Sequence, residues 1–597
     1  MYLEPLLKDN ELFDKNRIVT FDTETSDGLR GCDLWKIALI HSNYNKTNFF
    51  VTEDLKEFVD YLINQIRKDS VIFAHNLEFD IRFLLNEAIR KKFIFYSAGI
   101  LTAYLQFKKS KQWFTFRDSF ALLPMSQDKL SKSLDVTKKF EIDFEKEISE
   151  KDILLRIEND VLGLFEILVE ANKFYFKRYS INLLKFMTIA QFSLSIFRAN
   201  NLKKKILNPY FVEDFPLYEL YNNIRKTYFG ARVECYDLNT HFDVIGYDIN
   251  AMYSHVMSIF EFPVGKMRII NSMKLKELSP FGFSDCVIEI FNGKITPTPI
   301  RTKNGIYYPF GKIEGLYANQ HLLFLEENNL GKILEIKKTY EYNDSEYLFK
   351  EFMEKLYKIR LSLQAKKNPM EILIKLIMNT SYGKFGQKPI TTEYKQLDCS
   401  DDFFEAEELF SIAQDIYAKF EKRKLRNFSL VHISSFITNY AKQIQFNYLK
   451  KIEEDVIYTD TDSFIVPKKI KLKTSDKMGD LKLEKKFEVF KAFSPKAYYY
   501  QNKNIASVKL KGFTKKFKKT IESMDINTFE KFIKHEGIRW EKYASFKRMI
   551  RPTKNTQFID GYLAYESMSR SFPLQYDRRQ ILPSLLTIPI NTKRIEV

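Results

Sequence analysis

The chain has 597 residues, room for about four domain-sized units. Its 45% apolar and 29% charged content excludes wholesale disorder; charges interrupt every apolar run well short of the ~18 residues of a membrane span, and the opening MYLEPLLKDNELF lacks the basic-then-apolar order of a secretory leader. A net charge of +17 suits an anionic polymer, nucleic acid ahead of membrane, with a merely solvated basic surface as the plain alternative.

The four cysteines, Cys32, Cys235, Cys286 and Cys399, are far apart and form no CxxC pair, which argues against a zinc ribbon or disulfide framework and fits a reducing compartment. No 20–50-residue repeat is visible. In chain order, residues 17–21 (RIVTF), 36–41, 49–52 and 71–75 (VIFAH) read as strands, and 54–69 and 77–89 as helices. Ser149 with Asp152 forms a capping box opening a helix to about 176. Residues 1–180 thus read as an α/β unit. Residues 181–225 read as helical and basic, with Lys203, Lys204 and Lys205 as an exposed link. Beyond 228 the texture is α+β: a strand at 244–248, a helix at 369–385 with Asn368 as N-cap and Pro369 at its first position, and a hairpin from 457–458 and 464–466. Residues after about 515 read as a mostly helical piece with a poorly defined tail.

FDTET places Asp22 and Glu24 two apart at the end of a strand, so both carboxylates share one face. Such close like charges repel unless a cation sits between them. HNLEFD adds Asp80 just after another strand. ENDVLGLF puts Asp160 on the otherwise apolar stripe of the capped helix, costly unless paired or metal-bound. A DxE pair alone is most often two surface acids; four acids in this order, each in its expected element, favour Mg²⁺ or Mn²⁺ and phosphodiester hydrolysis.

YTDTDS sets Asp460 and Asp462 at a tight turn between apolar strands, and GYDINAMY sets Asp248 at the end of another. Asp favours turns in any protein, but a third acid fits a two-metal site. In KLIMNTSYGKFG, Lys375, Asn379 and Tyr382 fall at i, i+4 and i+7. One helix face therefore offers a cation for a triphosphate and an aromatic for a base pair; a solvated lysine is the plain alternative. Basic runs at 108–111, 138–139, 485–491 and 515–519 have aromatics within or beside them, a pattern for phosphate neutralisation and base stacking or for solvated faces.

The first set resembles the DEDD 3′–5′ exonucleases, which implies Asp22, Glu24, Asp80 and Asp160 as metal-site acids. One departure stands out: the family's Tyr four residues before the last Asp is Arg156 here, and Leu155 stands where a His variant would be. The second set resembles motifs A, B and C of family B DNA polymerases. This implies Asp248 and Asp462 as holders of catalytic metals, Asp460 assisting and the Ile249 carbonyl as a further ligand. It also implies Tyr253 as the sugar gate, Lys375 and Arg360 as phosphate contacts, Asn379 beside the nucleotide and Tyr382 as the base-pair platform.

YFGA, with Tyr228 and Gly230, resembles the YxGG/A motif. KAY, with Lys496 and Tyr498, resembles the KxY motif at the primer end, and Lys139 with Ile142 resembles the exonuclease KxxI motif. Thr25, Asn76, Phe79, Ser119 and Phe120 match single-strand contacts. The group resembles the protein-primed subfamily of linear phages and linear plasmids, the phi-29 type, over residues 17–515. The resemblance implies an RNase H-like exonuclease domain (1–180) before a right-hand polymerase domain (181–597). In the latter, the palm covers 228–360 and 428–515, the fingers 355–387 and the thumb 516–597. Insertions at 308–342, toward a terminal protein, and at 388–426, round the template and able to open the downstream duplex, complete the layout.

Implied partners are template-primer DNA, dNTPs, a terminal protein primer and a single-stranded DNA-binding protein, with no membrane; the chain would be a monomer with two Mg²⁺ or Mn²⁺ per active site. The setting would be the cytoplasm of an infected bacterium for a phage protein, or a mitochondrion for a linear plasmid. Two rival readings stand: an ordinary nucleic-acid-primed family B polymerase, and a nuclease whose C-terminal half only binds DNA.

Overall fold

The computed structural model describes residues 1–25, 34–43, 46–85, 93–98, 102–140, 149–271, 274–397, 405–412, 415–503, 505–510, 521–535, 538–544, 552–560, 563–570 and 576–595. Ile142, the 515–519 basic run, Cys32 and Cys399 lie outside them; Cys235 and Cys286 are free and buried. Among the described residues no helix is long and apolar enough to cross a membrane.

The N-terminal unit is built on strand Ile18–Thr25, whose alternation divides two cores. Ile18 faces the long helix Glu150–Tyr179 and joins Ile157, Val161 and Leu164. Val19 and Phe21 face the other way, onto Phe58, Val59 and Leu62 of helix Leu55–Gln65. The long helix begins with the expected Ser149–Asp152 capping box. Strand Val71–Ala74 runs parallel to Ile18–Thr25 and to Trp113–Asp118. Of the expected helix 77–89, residues 86–89 lie outside the described residues, and the described part is not one continuous helix. It stops at Asp80 and resumes as a 3-10 turn at Phe83–Leu85. Asp80, Ile81, Arg82, Phe83 and Leu84 are all buried, a consecutive run that one helix face cannot point inward.

This sheet has ten strands, and three of them come from far downstream. Strand Ile390–Gln396 pairs antiparallel with Phe93–Ala98, and Asp415–Arg423 and Glu408–Ile412 follow outward. The segment between the second and third polymerase-like motifs thus extends the N-terminal sheet by backbone hydrogen bonds.

A second, seven-stranded antiparallel sheet carries His241–Ile249 at its centre, flanked by Ser463–Pro467 and Leu481–Ser494. Helix Val431–Lys451 is buried on nearly every side along its first three turns, as a central core helix must be. A four-stranded sheet of Phe262–Asn271, Gly331–Glu346, Gly282–Ile290 and Gly311–Ala318 stands beside it, with helix Asn319–Glu327 between two of its strands in sequence. Lys203, Lys204 and Lys205 are exposed as expected, and each meets a glutamate: Glu351, Glu346 and Glu4.

Helices Lys350–Ala365 and Glu371–Thr380 pack against each other, joined by the Arg360–Glu371 ion pair. The second is shorter than expected. It begins at Glu371, with Met370 and not Asn368 as N-cap, so Pro369 lies outside it; Asn368 Oδ1 accepts from the Met370 backbone N–H at 2.9 Å, and residues 381–386 are turn. Gly386 is held so close to Tyr228 and Ser434 that a Cβ there would overlap both, which fixes the chain's exit from the helix.

The C-terminal reading is corrected more fully. Among the described residues after 521, only Ile526–His535 is α-helical; Ile538–Tyr543, Leu563–Arg570 and Thr556–Asp560 make a three-stranded sheet. Leu563–Arg570, rich in helix formers by composition, is nonetheless a strand because it pairs on both sides, with Ile538–Tyr543 and Thr556–Asp560. Nor is the tail loose. Leu585 O accepts from Leu238 N–H, Tyr236 O from Thr587 N–H and Phe310 O from Thr592 N–H.

Candidate active sites

In the N-terminal unit, strand Ile18–Thr25 delivers Asp22 and Glu24, and the capped helix delivers Asp160. One oxygen from each lies within 4.8 Å of the others. Asp80 sits at their edge, its Oδ1 accepting from Thr23 N–H (3.2 Å) and Thr23 Oγ1 (2.7 Å). Burial and the neighbouring Asp80, Asp160 and Glu24 push Asp22 well above the usual carboxylate range; Asp80 is pushed up to about 7, chiefly by burial. Burial also raises Glu24, against the pull of Arg156, whose Nε donates to Glu24 Oε1 at 2.6 Å. Lys139 Nζ meets Asp160 Oδ2 at 2.5 Å, while Asp160 Oδ1 is buried with no hydrogen-bond partner among the described residues. A repelling trio of hard oxygens with an orphaned buried carboxylate oxygen fits a divalent cation.

Around it, Asn76 is exposed in the left-handed region at φ 75°, and its backbone N–H donates to Asp118 Oδ1. Phe120 is exposed, and Thr25 and Phe79 are half-buried. Ser119, by contrast, is buried; its hydroxyl donates to Ala74 O and lies 3.0 Å from His75 Nδ1. It supports the ledge that carries Phe120 instead of facing open space.

In the seven-stranded sheet, Asp248 stands directly opposite Ser463 on one side and Lys482 on the other. The turn between strands Tyr458–Asp460 and Ser463–Pro467 puts Thr461 at φ 66°, and Thr461 N–H donates to Arg232 O at 2.9 Å. Asp462 is tied back through its carbonyl, which accepts from Ile249 N–H at 2.8 Å. Burial first, then Asp248, pushes Asp462 up to about 7. Asp248 is raised by burial, with Lys482 Nζ at 3.0 Å from Oδ2 opposing the shift. Asp460 is paired elsewhere: Lys496 Nζ lies 2.7 and 3.1 Å from its two oxygens. The acids line a cleft of about 320 Å³ with Glu484, Lys485 and Tyr498. Two half-buried, mutually repelling carboxylates beside one strand end suit hard divalent cations.

Helix Glu371–Thr380 presents Lys375 and Asn379 as exposed residues of one face, and Lys375 is close enough to lower the Asp248 pKa. Tyr382 follows on the same side and stacks on Tyr253, centroids 4.8 Å apart and planes 19° apart. Tyr228 neighbours Tyr382 electrostatically, and its carbonyl accepts from Arg301 at 2.8 Å; Gly230 is exposed beside it. Arg360 is engaged with Glu371, Nε to Oε2 2.9 Å. The structure therefore brings Asp248, Asp462, Lys375, Tyr253 and Tyr382 together and leaves Arg360 in a helix–helix ion pair. Lys482 was not singled out from sequence. Its signal is the cross-strand register with Asp248, which no local spacing carries.

The family model for DNA polymerase type B, organellar and viral, matches residues 134–463. The chain belongs to this family. A probable DNA polymerase of Neurospora intermedia is 27% identical over 398 residues, covering 61% of this chain and 40% of that protein. Another, of Ascobolus immersus, is 25% identical over 587 residues, covering 84% and 47%. This chain thus spans less than half the length of these two curated relatives. Phi29 DNA polymerase, solved in complex with primer-template DNA and incoming nucleotide substrates, shares the fold: TM-score 0.70 at 18% identity, over 94% of this chain and all of that one. This family B architecture accommodates both carboxylate clusters, one in each sheet.

Proposed function

We propose that the chain is a DNA-directed DNA polymerase with a 3′–5′ proofreading exonuclease, initiating on a terminal protein. The observation that carries the polymerase reading is one cleft wall. Asp248 ends one strand and Asp462 sits in the turn leading into the strand paired with it, with Lys375 and the stacked Tyr253–Tyr382 rings across from them. The reaction is in-line attack of a primer 3′-oxygen on the α-phosphate of a dNTP. Asp248, Asp462 and the Ile249 carbonyl would hold two Mg²⁺ or Mn²⁺, which supply charge stabilisation to the attacking and leaving oxygens. Lys375 and Asn379 bind the nucleotide's polar groups, and Tyr382 offers a face to the nascent base pair. Tyr253, fixed by its stack on Tyr382, excludes a ribose 2′-hydroxyl. Lys496 bridges Asp460 and the primer end, and Tyr498 lines the same wall.

In the N-terminal unit, Asp22, Glu24, Asp80 and Asp160 would hold divalent cations that supply an activated water and stabilise the leaving oxygen, and Lys139 orients Asp160. Arg156 takes the position of a tyrosine and pairs with a ligand instead of a water. The sheet extension from 390–423 supports a template-enclosing channel and strand displacement, because it bridges the two units by backbone pairing. The four-stranded sheet containing 311–346 is the proposed terminal-protein platform. Deletion of 312–340 would remove its interior strand Gly331–Glu346, so surface substitutions such as Lys332→Glu with Leu334→Asp, both exposed, are the cleaner probe. A single-stranded DNA-binding protein is a proposed partner. The proposed setting is phage-infected cytoplasm or a mitochondrion.

Primer extension on an annealed DNA template with Mg²⁺ or Mn²⁺ tests the polymerase reading; no extension by folded protein refutes it. The Lys332→Glu/Leu334→Asp variant should extend DNA normally and fail to nucleotidylate the cognate terminal protein. Normal nucleotidylation by that variant overturns the platform assignment; a linear genome without 5′-bound protein overturns protein priming and leaves an ordinary nucleic-acid-primed enzyme.

A further inference from the structure

Arg579 is among the largest fully buried side chains of the protein, and it comes from the segment expected to be a loose tail. A buried guanidinium is costly unless its donors are met. Here they are. Nε donates to Thr587 Oγ1 (2.8 Å), one terminal nitrogen to Lys294 O (2.7 Å) and Thr587 O (3.1 Å), and the other to Glu234 Oε1 (3.3 Å). Its guanidinium also lies 4.7 Å from the Tyr236 ring centroid. Glu234 is itself buried, accepts from Tyr236 OH at 3.0 Å and lies 3.3 Å from Arg232 Nε. Thr587 closes the loop, its hydroxyl donating to Cys235 O at 2.6 Å and its N–H to Tyr236 O at 2.9 Å.

These groups converge on one edge strand, Val233–Cys235. That strand pairs with the motif carrying the acids: Val233 opposite Asp460 and Glu234 opposite Thr459. The preceding residue, Arg232, gives its carbonyl to the Thr461 N–H at the left-handed tip of the turn. A non-glycine residue held at positive φ needs its surroundings to hold it there, and the acids on either side inherit whatever play the turn has. Displacement of a reacting group by an ångström is enough to slow a positioned reaction substantially.

We propose that Arg579 and Thr587 are positioning residues for the polymerase acids. Through Glu234 and Val233–Cys235, the C-terminal segment fixes the Asp460–Asp462 turn. This rests on the polymerase reading above for its kinetic consequence, but not for its effect on metal binding.

Thr587→Val keeps the side chain's shape and removes the hydroxyl that links Arg579 to Cys235. It should lower the extension kcat about tenfold, the weight of a buried hydrogen-bond link, with the KM for dNTP little changed and single-strand trimming unaffected. Thr587→Ser should restore kcat. In an Asp22→Ala/Glu24→Ala background, which removes the N-terminal carboxylate cluster, Mn²⁺ affinity read by electron paramagnetic resonance should fall by a similar factor with Thr587→Val. Arg579→Lys, which keeps the charge and loses the forked geometry, should behave as Thr587→Val does. Unchanged kcat and Mn²⁺ affinity in folded Thr587→Val overturn the proposal. So does a parallel loss of extension, trimming and melting temperature, which marks a general stability role. Wild-type protein that fails to extend primers, yet loses Mn²⁺ affinity on Thr587→Val, refutes the polymerase reading and leaves the positioning role standing.

Discussion

Replacing Asp462 with Asn should abolish one activity and stabilise the metal-free protein. Burial and the nearby Asp248 raise the Asp462 carboxyl from 3.8 to about 7 in the folded chain. Each unit corresponds to about 1.36 kcal/mol, so a charged Asp462 at pH 8 costs the metal-free fold about 4 kcal/mol at most, and less where relaxation or Asp248 absorbs part of the repulsion. The folded pKa lies above the unfolded one, so this group's contribution is most favourable below about pH 4. It is lost as the pH rises toward 7, because the folded state then binds more protons than the unfolded one. Asp462→Asn removes the penalty. In chelator at pH 8 the variant should melt several degrees higher than the parent, and at pH 4 the two should converge. With Mg²⁺ or Mn²⁺ present, primer extension should be lost while trimming of a single-stranded 3′ end persists, since Asp22 and Glu24 lie in a different sheet and Asp160 on the helix packed against it. Thermal unfolding followed by circular dichroism, with extension and trimming on labelled oligonucleotides, reads all three outcomes. A variant that melts lower at pH 8, or a folded variant that loses both activities, would refute the reasoning.

Asp22→Ala with Glu24→Ala should do the reverse, cutting trimming of mismatched primers by roughly 100-fold or more while extension persists; equal loss of both in a gel-based assay would merge the two sites. Arg156→Tyr frees Glu24 from its 2.6 Å ion pair and should raise the trimming rate, and a fall in single-turnover hydrolysis would instead make Arg156 a catalytic cation. Tyr253→Val breaks the stack on Tyr382 and should erode dNTP over rNTP selection by about 10- to 100-fold, read as the ratio of kcat/KM values; an unchanged ratio places the gate elsewhere.

What the sequence determined by itself was local. Asp22 and Glu24 share a strand face because side chains alternate, and the Ser149 box starts the helix that carries Asp160. Lys375, Asn379 and Tyr382 follow a helical spacing, and the TDTD turn follows from its own residues. Each of these spans a few residues, where backbone geometry fixes direction before any tertiary contact forms. Tertiary structure decided what depends on register and burial between distant segments. Lys482 meets Asp248 only because two antiparallel strands pair with that register. Arg156 reaches Glu24 across 132 residues, and Arg579 reaches Glu234 across 345. The 390–423 strands read as a separate insertion, yet they complete the N-terminal sheet. The mostly helical expectation after 515 failed for the same reason: short segments with mixed apolar spacing take the form that their partners allow, and strand pairing is settled by neighbours that local periodicity does not encode.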